Sequence, residues 1–148
     1  MTIDRSDPRL LQAAALSESE FVGTLVVHPD SDTGEMLEVY RMESPWDRLP
    51  DQPLIEPRTG YTLRYIPKQR LEPLVFLVFE GGLVGAFESD TLTIHFDHRG
   101  KKLSRELILA GFAQAPWNNK QDRKVTEAGE AALRSAYKFA TEVASKPA

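Results

Sequence analysis

Residues 91–113 read TLTIHFDHRGKKLSRELILAGFA, and the reading of this stretch decides the fold. From Thr91 to Phe96 the pattern alternates. Leu92, Ile94 and Phe96 share one face and Thr91, Thr93 and His95 the other, which predicts a half-buried strand. A basic turn follows at Arg99-Gly100-Lys101-Lys102, and then Leu103 to Ala113 takes up helical apolar spacing. A strand that runs through a turn into a helix can offer backbone N–H groups and a positive helix end to an anion.

Upstream, Leu74 to Phe79 (LVFLVF) is a continuous apolar run, the pattern of a strand covered on both faces. Glu80-Gly81-Gly82 then signals a hairpin into a strand at Leu83 to Phe87. Tyr61 to Ile66 reads as a further strand. Phe21 to Val27, rich in β-branched and aromatic residues, reads as a strand, and with a second strand at Met36 to Met42 forms a hairpin around the turn at 29–34. Ser44 to Pro57 carries four of the ten prolines, at 45, 50, 53 and 57, and is an ordered surface loop.

Asp7-Pro8 caps a short helix from Pro8 to about Leu16. Thr126 caps a last helix from Glu127 to Val143, with Leu133, Ala136, Tyr137 and Ala140 as its apolar stripe. The expected fold class is therefore α+β over one domain, residues 1–148. Its sheet is mostly antiparallel with about six strands, a short N-terminal helix precedes it, and two C-terminal helices pack on one face.

The chain has 148 residues, 41% hydrophobic and 27% charged, enough to bury a core as a single unit. It has no cysteine, which excludes disulfides, thiolate metal sites and cysteine nucleophiles. The N-terminal twenty residues are polar, with no apolar signal region, and no run is long enough for a membrane span, so the expected location is cytoplasmic. A net charge of −4 argues against nucleic acid as a partner. The positive charge is concentrated instead: Arg99, Lys101, Lys102 and Arg105, with His95 and His98, face a single acid, Asp97. Such a patch suits one bound anion or a solvated turn.

Other groupings read more simply. His95, Asp97 and His98 lack metal-site spacing and are taken as surface histidines and a turn aspartate, with His28 too distant to complete a site. Asp30, Asp32 and Glu35 are turn residues and do not match a calcium loop. Trp46, Trp117 and Tyr61 fall in loops on this reading, where aromatics commonly anchor partners. No serine–histidine–acid set is legible.

From Leu74 onward the chain resembles the GNAT acetyltransferase superfamily, over residues 74–139. VFLVFEGGLVGAF resembles that family's central strands, and TLTIHFDHRGKKLSRELILAG its pyrophosphate-binding strand, loop and helix. The family motif of Gln or Arg, two residues, Gly, one residue, then Gly or Ala falls on Arg99 to Ser104, with Lys102 and Ser104 standing where the motif has its small residues. The resemblance implies acetyl-CoA as cofactor, held by Arg99, Gly100, Lys101, Lys102 and Ser104. It implies Tyr137, in ALRSAYKF, as the acid toward the leaving thiolate. Glu80 and Glu88, which flank the hairpin next to the basic turn, are the candidate bases.

Two functions follow. The first is a non-catalytic, cytoplasmic interaction or regulatory module of the bacterial or phage type. Its protein partner would meet Trp46, Asp47, Arg48 and Leu49 of the Pro-rich loop together with Arg105 and the basic turn. The second is a divergent acyl-CoA-dependent N-acyltransferase. A homodimer is open to either, through an edge strand such as residues 21–27.

Overall fold

The computed structural model describes residues 3–29, 35–116 and 126–145. Within them the chain forms α1 (Pro8–Ala14), α2 (Glu18–Val22), β1 (His28–Pro29), α3 (Glu35–Glu43), β2 (Asp51–Gln52), β3 (Tyr61–Arg64), β4 (Leu74–Phe79), β5 (Gly82–Glu88), β6 (Thr91–Ile94), α4 (Ser104–Gln114) and α5 (Glu127–Ser145). The six strands make one sheet in the order β1-β6-β5-β4-β3-β2. Every neighbouring pair is antiparallel except β1 with β6, which run parallel. The α+β class and the mostly antiparallel sheet are those expected from the sequence.

β4 is buried on both faces, as its unbroken apolar run requires. Val75 and Leu77 join the larger core beneath α1, α2, α4 and α5, while Phe76 joins a smaller cluster with Leu37 and Tyr40 of α3. The sheet thus carries four helices on one face and α3 on the other. The expectation of helices on a single face is corrected by α3.

Two expected strands are helices or irregular chain. Ser17 accepts the Glu20 N–H at 3.2 Å and the Glu20 carboxylate accepts the Ser17 N–H at 3.0 Å. This capping box nucleates α2 straight through Phe21 and Val22, against their strand preference. Gly23 ends the helix, and Leu25 to Val27 run buried but unpaired into the two-residue β1. Residues 36–42 lie in α3, because the residues they bury, Leu37 and Tyr40, are three apart and share a helical face. Short β1 and β2 supply the strands that these segments do not. β6 also stops sooner than the alternation implied. The His95 ring accepts the Asp97 N–H at 3.2 Å and turns residues 96–98 into a 3-10 helix, leaving Phe96 57% exposed.

α4 is the element against which everything else is set. Its two buried polar side chains, Glu106 and Gln114, sit near opposite ends. The Glu106 carboxylate accepts the N–H groups of Ile55 at 2.7 Å and Glu56 at 2.9 Å, which fixes the end of the Pro-rich segment. The Gln114 side chain accepts from Leu74 N–H at 2.9 Å and donates to the Ile66 carbonyl at 3.0 Å, while its backbone carbonyl accepts from Arg70. Both long loops are therefore satisfied by one helix. Gly111 allows the approach to the sheet, since a Cβ there would meet the Phe87 ring at 2.7 Å. Gly129 does the same for α5, whose start lies so close to Val27 that a Cβ would fall 1.8 Å from its carbonyl oxygen.

Burial raises the Glu106 pKa, and the Glu56 and Ile55 N–H groups with the Arg9 and Arg105 charges only partly offset this. A raised folded-state value gives stability that is present at acid pH and fades as pH rises through that value. Glu106→Gln sets an amide NH2 against one of the two backbone N–H donors and is expected to cost ~1–3 kcal/mol. In urea unfolding across pH, that deficit should narrow as pH climbs above the ordinary glutamate value of 4.5. A deficit that widens with pH would contradict this reading.

Candidate functional site

The parallel pair β1 and β6 ends at the basic turn, and a cavity of about 300 Å³ opens there. Its apolar wall is Leu92, Ile94 and Leu103, with Pro29 and Ala132 closing it from β1 and α5. Its polar wall is His98, Arg99, Gly100, Lys102 and Ser104. Of the five residues that the sequence places at a cofactor's phosphates, four thus line one cavity, and Lys101 lies on the same turn. The position is the one where open sheets with parallel strands commonly take ligands, outside the carboxyl ends of the strands.

The loop backbone is specific. Gly100 has φ +77° and Lys102 φ +61°, both left-handed. For glycine this costs little, whereas for lysine it is a strained conformation. The chain therefore keeps at Lys102 the backbone a glycine would adopt, and adds an ammonium group to it. Leu103 takes the N-cap position of α4, and no side chain caps the helix. The Glu106 N–H donates to the Leu103 carbonyl at 3.1 Å, which leaves the Ser104 and Arg105 N–H groups at the positive helix end without a side-chain cap. Arg99 folds back through its Nε to the Ile94 carbonyl at 2.8 Å, closing the turn against the end of β6.

Behind the turn lies an ionic cluster. The Glu56 carboxylate accepts from Arg58 at 2.8 Å and from Arg105 at 3.0 Å. Burial opposes its charge, but the two guanidinium groups outweigh this and hold Glu56 below the usual carboxylate range. The Arg105 guanidinium also lies 3.7 Å above the centre of the Phe139 ring. Arg105 is therefore committed to packing α4 against α5 and to the Pro-rich segment.

His98, taken from the sequence as a surface histidine but also as part of the basic patch, lines the cavity. Its Nδ1 is 2.6 Å from the Tyr61 hydroxyl, and its ring packs against Phe79 with centroids 5.0 Å apart. Burial, then the Lys101 and His95 charges, lower its pKa, with Asp97 opposing. The surroundings of His98 thus favour its neutral form. Tyr61 belongs to β3 rather than to a loop, and this pairing across 37 residues has no local signal in the sequence.

Other expected site residues lie elsewhere. The Tyr137 hydroxyl donates to the Leu16 carbonyl at 2.6 Å and its ring stands 5.6 Å from Phe21, so it ties α5 to the end of α1 and does not line this cavity. Glu88 pairs with Thr91 at the start of β6, whereas Gly85 pairs with Ile94 at the cavity end. Glu88 is therefore at the wrong end of the strand pair. Glu80, in the β4–β5 turn with φ +49°, is exposed at the cavity end, next to Phe79. Trp46 and Leu49 are half-buried against the α3 cluster, and Arg64 lies 5.5 Å over the Trp46 ring. They and the exposed Asp47 and Arg48 flank the α3 face, away from Arg105, so the structure does not assemble the expected joint partner surface. Trp117, Asp30 and Asp32 lie outside the described residues.

A larger cavity, about 1010 Å³, lies between α1, α2 and the end of α4. Its acidic residue, Glu20, is held in the α2 capping box, and Thr24 donates to the Phe21 carbonyl. Gln12, Ser19, Lys68 and Gln69 complete its polar wall. Among the described residues no group of three metal-ligating side chains converges, and no helix is long and apolar enough to cross a membrane. No family model, curated protein or solved structure matches this chain.

Lys102→Gly removes the left-handed strain at a cost in chain entropy, and should leave the fold more stable by about 0.5–1 kcal/mol in urea unfolding. Lys102→Val, which is stiff at χ1 and disfavoured at this φ, should destabilise by more than that gain. Equal stabilities for the two variants would contradict the backbone assignment.

Proposed function

We propose that the chain binds a phosphate-bearing ligand of the acyl-coenzyme A class at the turn from Arg99 to Ser104, and that it is a divergent N-acyltransferase acting in the cytoplasm. The observation that carries this reading is the left-handed backbone at Lys102 on the wall of a basic-rimmed cavity, beside an uncapped helix start. The two motif replacements then have a physical account. Lys102 keeps the glycine-like conformation and meets a phosphate as a point charge. Ser104 places a small hydroxyl at the first turn of α4, where it can donate to the same anion. Leu92, Ile94 and Leu103 suit a slender apolar arm running from the phosphates.

In this reading an amine attacks the thioester carbonyl, the C–N bond forms and the C–S bond breaks, releasing the coenzyme A thiolate, which is protonated by solvent water. Glu80 is the carboxylate at the correct end of the sheet to take the amine proton, and Tyr137 has no part in the transfer. The overall acidity of the chain disfavours a long polyanion, while a single phosphate group needs only the local patch.

Thermal unfolding with acetyl-CoA, coenzyme A and pantetheine tests the assignment. Saturation at 100 times the dissociation constant adds roughly 2.7 kcal/mol, about 5–10 °C for a domain of this size. The two phosphate-bearing ligands should give that rise and pantetheine little. Lys102→Glu should abolish it. No shift with any of the three would overturn the proposal and leave a protein-interaction module as the reading to pursue.

A further inference from the structure

Arg58 lies outside both the motif and the cavity wall, yet it joins the Pro-rich segment to the basic turn. Through Nη1 it donates to the Lys101 carbonyl, and through Nη2 to Glu56 Oε1 at 2.8 Å. Glu56 is itself fixed twice: its N–H is held by the buried Glu106 and its carboxylate by Arg105. The anchor behind Arg58 is therefore the body of α4, and its side chain is only 23% exposed. Among the described residues no peptide bond is cis. In a trans peptide the C=O and the following N–H point in opposite directions. A guanidinium on the carbonyl of Lys101 consequently turns the Lys102 N–H away from Arg58. Lys102 lines the cavity and Arg58 does not.

We propose that Arg58 is a positioning residue: it fixes the 101–102 peptide so that the Lys102 N–H faces the cavity and is available to a ligand phosphate. Its charge also offsets the strain of the left-handed conformation at Lys102, because the peptide gains a charge-assisted hydrogen bond only in this orientation. The inference rests on the phosphate site proposed above. It accounts for the left-handed conformation of a lysine at this turn.

The test is isothermal titration of coenzyme A into the unsubstituted chain, Arg58→Ala and Arg58→Lys, with amide spectra of residues 100–104 recorded by NMR. Arg58→Ala should bind about ten-fold more weakly, the equivalent of one lost charge-assisted hydrogen bond. The ligand-induced shift of the Lys102 amide should collapse in that variant. Arg58→Lys retains a donor for the Lys101 carbonyl and should recover most of both signals. Arg58→Ala binding as tightly as the unsubstituted chain, with the Lys102 shift intact, overturns the inference while leaving the phosphate site standing. A loss that Arg58→Lys does not rescue and that follows melting temperature alone assigns Arg58 to folding only. An unsubstituted chain that does not bind coenzyme A removes the site and the inference together.

Discussion

The carboxylate of Glu106 is the constraint on which the rest depends. It is fully buried in the first turn of α4, and its two backbone hydrogen bonds hold the point where the Pro-rich segment crosses toward β3. That crossing puts Glu56 against Arg105 and brings Arg58 to the basic turn. Burial disfavours its charged form, and the two amides with the nearby Arg9 and Arg105 offset that only in part. The same residue therefore secures the fold and sets the background against which the candidate site is shaped. Gln114 repeats the device for the other long loop, so that α4 organises both sides of the sheet's centre.

Much of the fold was legible because the patterns that carry it are local. The apolar run at Leu74 to Phe79, the glycines after it and the stripe of the last helix each have one period and one interpretation. The errors fall where two local signals compete. At Ser17 to Val22 a capping box and a strand-forming composition coexist, and the cap prevails because it satisfies orphan N–H groups at once. At residues 36–42 apolar residues stand at 36, 37, 39, 40 and 42, which hides the three-residue spacing of Leu37 and Tyr40, and only the second core on the far face of the sheet reveals which period is used.

The site was half legible. Arg99 to Ser104 could be singled out from charge and order of elements, and four of its residues do share a cavity. What the sequence could not show is that Lys102 adopts a glycine-like backbone, since conformation at one residue is set by its tertiary contacts. The pairing of Tyr61 with His98 and the hold of Arg58 on Lys101 join residues tens of positions apart and leave no spacing to read. Conversely Tyr137 drew a chemical role only from the family resemblance of ALRSAYKF, but a tyrosine on a core-facing helix has a bland use for its hydroxyl, and the Leu16 carbonyl supplies it.

The proposal is spatial: the phosphates of a coenzyme A-like ligand would sit on the N–H groups of the turn from Gly100 to Ser104, with Lys102 at their edge. The most direct measurement is a crystal structure of the chain with coenzyme A bound. The account predicts phosphate oxygens within hydrogen-bond distance of the Lys102 N–H and the first N–H groups of α4, with the backbone of the turn unchanged. Phosphates seated instead in the larger cavity between α1 and α2, or a turn that must rebuild to receive them, would contradict it.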